Sequence, residues 1–293
     1  MPHSRNIVIV FGTDPEVIRG GLHAPDTMTN AQFLTLLQVL IKAPRGGFYT
    51  CKEGSNLPVQ QNNEILPHGR YIIFPDIQGQ IVEVSDKRYY HRTLSRCNTR
   101  RDATFIRDVR RRDGGCMITG FMNREIKDDR WIGFETAHII PLSLSDSYLS
   151  SKFQAIIPDK KRGINSPNNG ILLNSEIHQL WDSYSLAINP HDGYRVQSFR
   201  PNSHRYHNIV LNTACRRPND PHRVIDALFT WHFEQAVLYN MRGDGEPTFE
   251  FDCPPGSDIM GVIREGPLPA ERMEAELFGR LYGLSDDNPQ SGP

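Results

Sequence analysis

Apolar positions change period along the chain, and each change marks an element. Asn6–Phe11 is a β-branched run, which predicts a strand. Phe33, Leu34, Leu37, Leu40 and Ile41 then recur at helical spacing behind Thr29-Asn30, a capping pair, so a helix is predicted over Ala31–Lys42. Gly46-Gly47 ends it. Short strands are predicted at Phe48–Cys51, Tyr71–Phe74 and Gln80–Val84. Strand, helix, strands make residues 1–90 a small α+β domain, with a β-grasp-like arrangement as the candidate. No chemistry stands out in it.

The middle of the chain reads differently. Residues 103–113 fit a helix with Phe105, Ile106 and Val109 turned inward. Phe134–Ile140 is an extended run broken by Pro141, and Gly170–Leu173 is a second short apolar run. Asn174 or Ser175 can cap a following helix, with Glu176 in its first turn, where the helix dipole favours a carboxylate. Residues 201–220 read as a loop around one short helix, and Val224–Met241 as an amphipathic helix with Ile225, Leu228, Phe229, His232 and Ala236 along one side. Residues 244–266 are rich in Gly and Pro, Ala270–Leu281 fits a last short helix, and DDNPQSGP reads as a frayed tail. The expected division is therefore 1–90, 91–243 and 244–293.

Composition narrows the function classes. Among 293 residues, 38% are hydrophobic and mean hydropathy is -0.49, values of an ordinary folded chain. No apolar run approaches the roughly 18–20 residues of a membrane span, and the N-terminus lacks the apolar core and cleavage site of a signal peptide. Cys51, Cys97, Cys116, Cys215 and Cys253 are scattered and odd in number. They suggest neither a disulfide framework nor a cysteine-built zinc site, and with them an intracellular location, cytoplasmic or nuclear, is expected. Net charge is -1, so the whole chain is no basic nucleic-acid binder. The charge is uneven, however. Between residues 88 and 112, Arg88, Arg92, Arg96, Arg100, Arg101, Arg107, Arg110, Arg111 and Arg112 face only Asp102 and Asp108. Arginine matches phosphate geometry, so Arg107, Arg110, Arg111 and Arg112 are candidate phosphate contacts. A solvated helix face is the plainer reading of the same run.

Three segments carry candidate chemistry: Glu135-Thr136-Ala137-His138-Ile139-Ile140-Pro141, Asn168-Asn169-Gly170-Ile171-Leu172-Leu173, and Ile177-His178-Gln179-Leu180-Trp181-Asp182. On a helix His178 and Asp182 are four apart and share a face, where an imidazole and a carboxylate can grip one divalent cation. The order is strand, strand, helix. This ordered pattern closely resembles the HNH endonuclease superfamily, most of all its HNH_2-type branch, which is common in fungal proteins. Cys116-Met117-Ile118-Thr119-Gly120 is similar to the CxxTG element that opens the domain in that branch. The resemblance covers residues 100–200.

The resemblance implies a ββα-metal fold at the centre, and roles for four residues. His138 matches the general base acting on a water, which an imidazole with a pKa near 6.5 can perform at neutral pH. Asn169 matches the middle asparagine, which either orients the hairpin loop or helps hold the metal. His178 matches the last histidine, a metal ligand, and Asp182 stands where relatives place another. The cation would be Mg²⁺, with Mn²⁺, Zn²⁺ or Ni²⁺ as alternatives. The implied partner is nucleic acid, DNA first.

Two positions depart from the wider pattern. Ala137 stands where many relatives carry a further ligand, although this branch commonly has Ala there. Thr119 stands where a zinc-stabilised relative has cysteine. Glu135 lies on the same strand face as Ala137, away from the His138 side, which makes it a poor substitute ligand if the strand is regular. Three functions stay in play: a metal-dependent endonuclease, an HNH-like module that binds nucleic acid or a protein without cutting, and a repurposed pocket acting on a small molecule.

Overall fold

The computed structural model describes residues 5–90, 103–144, 153 and 155–243. The expected helix over Ala270–Leu281, residues 244–266, the tail, and Arg92, Arg96, Arg100 and Arg101 lie outside the described residues. Arg5–Tyr90 and Arg100–Gly245 form one compact unit. A second takes in Met1–Ser4, His91–Thr99 and Glu246–Pro293, none of it among the described residues.

The N-terminal part is a four-stranded sheet under one helix. Strands β1 (Ile7–Phe11) and β2 (Asp14–Leu22) form an antiparallel hairpin. Helix α1 (Asn30–Leu40) follows, opened by a capping box in which Thr29 accepts from Gln32 N–H and Gln32 answers to Thr29 N–H. After the short β3 (Ile41–Lys42), β4 (Phe48–Lys52) pairs antiparallel with β5 (Gly69–Pro75), and β5 runs parallel to β1. The sheet order β2-β1-β5-β4 with a central parallel pair is the β-grasp arrangement. A two-residue β6 (Glu83–Val84) pairs with β3. Strand β2 was not expected. Its middle is exposed and its end is Gly20-Gly21, which hides the alternation. The glycines are there for contact: a Cβ on Gly20 would sit 2.6 Å from the Met241 carbonyl oxygen.

The central part is built on helix α2 (Ala103–Asp113) and a hairpin of β7 (Phe134–His138) and β8 (Gly170–Asn174), followed at once by helix α3 (Ser175–Asp182). Asn174 takes the N-cap position, but its side chain accepts from the Thr119 hydroxyl at 2.9 Å instead of capping. Thr119 thus ties the opening Cys116–Gly120 knuckle to the start of α3. Met117 N–H donates to Leu172 O, which extends the pairing of β8.

A second hairpin, β9 (Leu186–Asn189) with β10 (Arg195–Ser198), and helix α4 (Asp226–Met241) complete the unit. The sequence pattern suggests an amphipathic α4, but the helix is buried nearly all round. Leu228 and Phe229 join the core under the β7–β8 hairpin, while Phe233, Ala236, Val237 and Met241 join the core of the N-terminal sheet. Two of its buried polar side chains find partners, as buried polar groups generally do. Gln235 accepts from Tyr90 N–H, and Asn240 donates to Tyr184 O while accepting from Arg200. One helix therefore serves both cores.

Polar contacts also join the parts. His207 lies between Ser198 N–H, which donates to Nδ1, and the Gln32 carbonyl oxygen, 3.3 Å from Nε2. Burial, with the nearby His204 adding to it, pushes the His207 pKa down to about 4. The unfolded chain, with an ordinary histidine near 6.5, then binds the extra proton first, so stability falls as pH drops from roughly 6.5 to 4. The expected loss is about 2–3 kcal/mol by linkage. Urea unfolding at pH 7 and pH 4 measures it. His207→Gln should flatten that slope, and an unchanged slope would rule out His207 as its source.

Candidate functional site

The hairpin is regular from Phe134↔Asn174 to His138↔Gly170, with no bulge. Side chains therefore alternate faces along β7. His138 turns toward α2, where its ring stacks on Phe105 with centroids 4.1 Å apart and planes 14° apart. Gly170, opposite His138, makes this stacking feasible. A Cβ there would lie 2.6 Å from Phe105 and 2.7 Å from Val109, so only glycine lets α2 approach the hairpin. His138 Nε2 lies 3.2 Å from Asn165 Oδ1, and its carbonyl accepts from the buried Trp181 indole.

Asn169 is fully buried, and its amide is engaged with main chain. Oδ1 accepts from Ile140 N–H at 2.8 Å, and Nδ2 donates to the Ile140 and Ile164 carbonyls at 3.0 Å each. Its own carbonyl accepts from Ile139 N–H. Of the two roles the resemblance allows, this geometry is that of a clamp on the turn after β7.

The other face of β7 meets α3. His178 Nδ1 and Glu135 Oε2 are 2.5 Å apart, and His178 Nε2 and Asp182 Oδ2 are 3.2 Å apart. The imidazole is thus held between two carboxylates. Burial pulls its pKa down, but the hydrogen bonds and charges of Asp182 and Glu135 outweigh that and raise it above the ordinary value. The expectation that Glu135 is badly placed needs correcting. The strand is regular, as that expectation assumed, but the face turned away from His138 is the face covered by α3. Ala137 shares it and is buried without a donor to offer.

The four arginines separate. Arg107 and Arg111 are exposed and flank Asp108 at 3.5 and 3.2 Å. Asp108 also takes Arg162 at 2.7 Å. Burial would raise the Asp108 pKa, but Arg162, Arg111 and Arg107 together lower it. Arg110 is half-buried with its guanidinium over the Trp131 ring. Arg112 is not at the surface at all. It forms a bidentate pair with Asp113 at 2.6 and 2.8 Å and donates to the Pro167, Gly170 and His222 carbonyls at 2.7 Å. Those five bonds use every guanidinium N–H, so Arg112 is removed from the expected phosphate-contacting set.

With this geometry in view, the family comparison is specific. Residues 116–189 match a family described as HNH endonuclease. The match supports an HNH superfamily domain in the middle of the chain, and it spans Glu135, His138, Asn169, His178 and Asp182. Residues 4–80, the β-grasp part, match a domain of unknown function. Comparison with curated proteins and with solved structures gives no match.

The residues suit a divalent cation only sparsely. Among the described residues no group of three or more His, Cys, Asp or Glu side chains forms a metal cage. His178 Nε2 and Asp182 Oδ2 are nevertheless a nitrogen and an oxygen donor at 3.2 Å, near the separation of adjacent ligands around an ion bound at about 2.0–2.2 Å. A two-residue protein grip fits an ion that fills its remaining positions with water and phosphate.

Proposed function

We propose that this protein is a metal-dependent endonuclease that hydrolyses phosphodiester bonds, with DNA as its substrate. The observation that carries the reading is the ordered set His138, Asn169, His178 and Asp182 on a strand–strand–helix unit, within the residues that match the HNH endonuclease family. A bound divalent ion would stabilise charge on the phosphate and on the departing 3′-oxygen.

The chain's own groups do the rest. His178 and Asp182 hold the ion, with Mg²⁺ or Mn²⁺ suiting the oxygen-rich remainder of the shell and Zn²⁺ or Ni²⁺ as alternatives. In this reading His138, at the end of β7, takes the proton from the attacking water; its ring lies on the α2 face of the strand and the grip on the α3 face. Asn165 Oδ1, 3.2 Å from Nε2, helps to orient the ring. Phe105 below the ring and Asn169 behind the turn fix its direction. Helix α2 supports His138 through Phe105 and also carries Arg107, Arg110 and Arg111, which supply contacts to the phosphate backbone.

Supercoiled plasmid is expected to be nicked with Mg²⁺ or Mn²⁺ and to stay intact with chelator. His178→Ala and Asp182→Asn should each raise the metal concentration needed for half-maximal nicking. Nicking that ignores both chelator and these substitutions would overturn the assignment of the metal grip.

A second reading has its own support. Ala137 offers no donor, and the metal grip is thin, as in a module that binds nucleic acid or a protein without cutting. Calorimetric titration separates the two. Uptake of none of Mg²⁺, Mn²⁺, Zn²⁺ or Ni²⁺ favours the non-catalytic module.

A further inference from the structure

We propose that Glu135 is a positioning residue that fixes the ring orientation of His178, so that Nε2 faces the cation alongside Asp182. The proposal rests on the reading above that His178 and Asp182 hold a divalent ion.

The argument starts from the strand. β7 pairs with β8 without a bulge, so Glu135 and Ala137 share the face that α3 covers. Ala137 is one residue from His138 and too short to reach anything. Glu135, one strand repeat earlier, reaches the helix and meets His178 Nδ1 at 2.5 Å. The opposite ring nitrogen points to Asp182, one helical turn on. An imidazole has two nitrogens, and a hydrogen bond at one decides what the other can do. A carboxylate accepting from Nδ1–H leaves Nε2 with its lone pair available to an ion. Histidines that bind metals usually have such a partner, which also makes the ring a better donor.

The surroundings explain why the chain would need it. His178 sits on an eight-residue helix, and α3 begins directly after β8. A histidine there can rotate about its side-chain bonds unless something holds the ring. Burial restrains it on one side, since the side chain is only 10% exposed. Glu135 itself is 42% exposed. It contributes little to the core, so its removal is a mild perturbation of folding. Among the described residues no group of three or more His, Cys, Asp or Glu side chains forms a cage, so a grip by His178 and Asp182 depends strongly on both being aimed correctly.

The test uses the full chain and two readouts. Long-range ¹H–¹⁵N correlation spectra of histidine-labelled protein, with His178 assigned through His178→Gln, report which ring nitrogen carries hydrogen in the Zn²⁺-loaded state. Calorimetry with Mn²⁺ and with Zn²⁺ reports affinity, and circular dichroism with thermal melting checks that each variant is folded. Glu135→Ala should weaken metal affinity about 10–100-fold and remove the ordered Nδ1–H signal. Glu135→Gln keeps an accepting oxygen and should restore a large part of both.

Glu135→Ala that binds both ions as wild type does, with the same Nδ1–H signal, overturns the role of Glu135. Equal loss in Glu135→Ala and Glu135→Gln with the Nδ1–H signal intact also overturns it, because the effect would then be one of charge. A wild type that takes up neither ion overturns the cation reading itself, a separate and distinguishable failure.

Discussion

Replacing His138 with alanine is expected to lower DNA cleavage by about 10²–10⁴-fold, the usual contribution of a positioned general base. The loss should appear in turnover and not in DNA affinity, because the backbone contacts come from α2. Stability should change little in comparison with activity. His138 is buried, but Phe105 and Val109 already close the space around Gly170, and the bond from the Trp181 indole to the His138 main-chain carbonyl does not need the His138 side chain. Single-turnover cleavage of a labelled duplex, beside a binding isotherm, separates the two effects. A fall in affinity with unchanged turnover would place His138 in binding and not in proton transfer. Asn165→Ala should give a smaller fall in turnover by releasing the ring.

Replacing Arg112 with methionine is expected to destabilise the protein by about 3–5 kcal/mol, the range for removing one partner of a buried ion pair. The side chains of Arg112 and Asp113 are 2% and 0% exposed. Without the guanidinium, the Asp113 carboxylate loses its counter-charge and keeps only its bond from Leu172 N–H. The carbonyls of Pro167, Gly170 and His222 lose their donor at the same time. These groups frame the turn that carries Asn169, so the damage should reach the site. Arg112→Lys should recover only part of the loss, because an ammonium cannot reproduce the planar fork. Equilibrium urea unfolding of the three proteins measures the effect. A shift of less than about 1 kcal/mol, typical of an exposed pair, would contradict the buried role.

How much was legible beforehand depends on what each feature needs in order to be seen. The strand–strand–helix order, and with it the placement of His138, Asn169, His178 and Asp182 on that unit, was legible because its information is local: residue type, spacing, and a cap before an apolar helix. The α+β class followed from the same periodicities. Glu135 could not be judged locally. The strand reading placed it on the correct face, but only packing shows that α3 covers that face. Arg112 was indistinguishable from Arg107 and Arg111 by composition. The helical period separates them, since Phe105, Asp108, Val109 and Arg112 share the buried side. The β9–β10 hairpin left a usable sign in Asp192-Gly193 between two short runs. Helix α4 misled because its buried Gln235 looks like part of a solvated face until its partner is known.

The account's central claim is metal-dependent hydrolysis of a phosphodiester by the strand–strand–helix unit that carries His138 and His178. It is tested most directly on supercoiled plasmid with Mn²⁺, with and without chelator, followed by DNA ligase. The expected result is nicked circles only when the metal is present, resealed by ligase without end repair, because the 3′-oxygen leaves and the phosphate stays on the 5′ end. Plasmid that stays supercoiled with every divalent ion tried, or nicks that form equally with chelator, would contradict it.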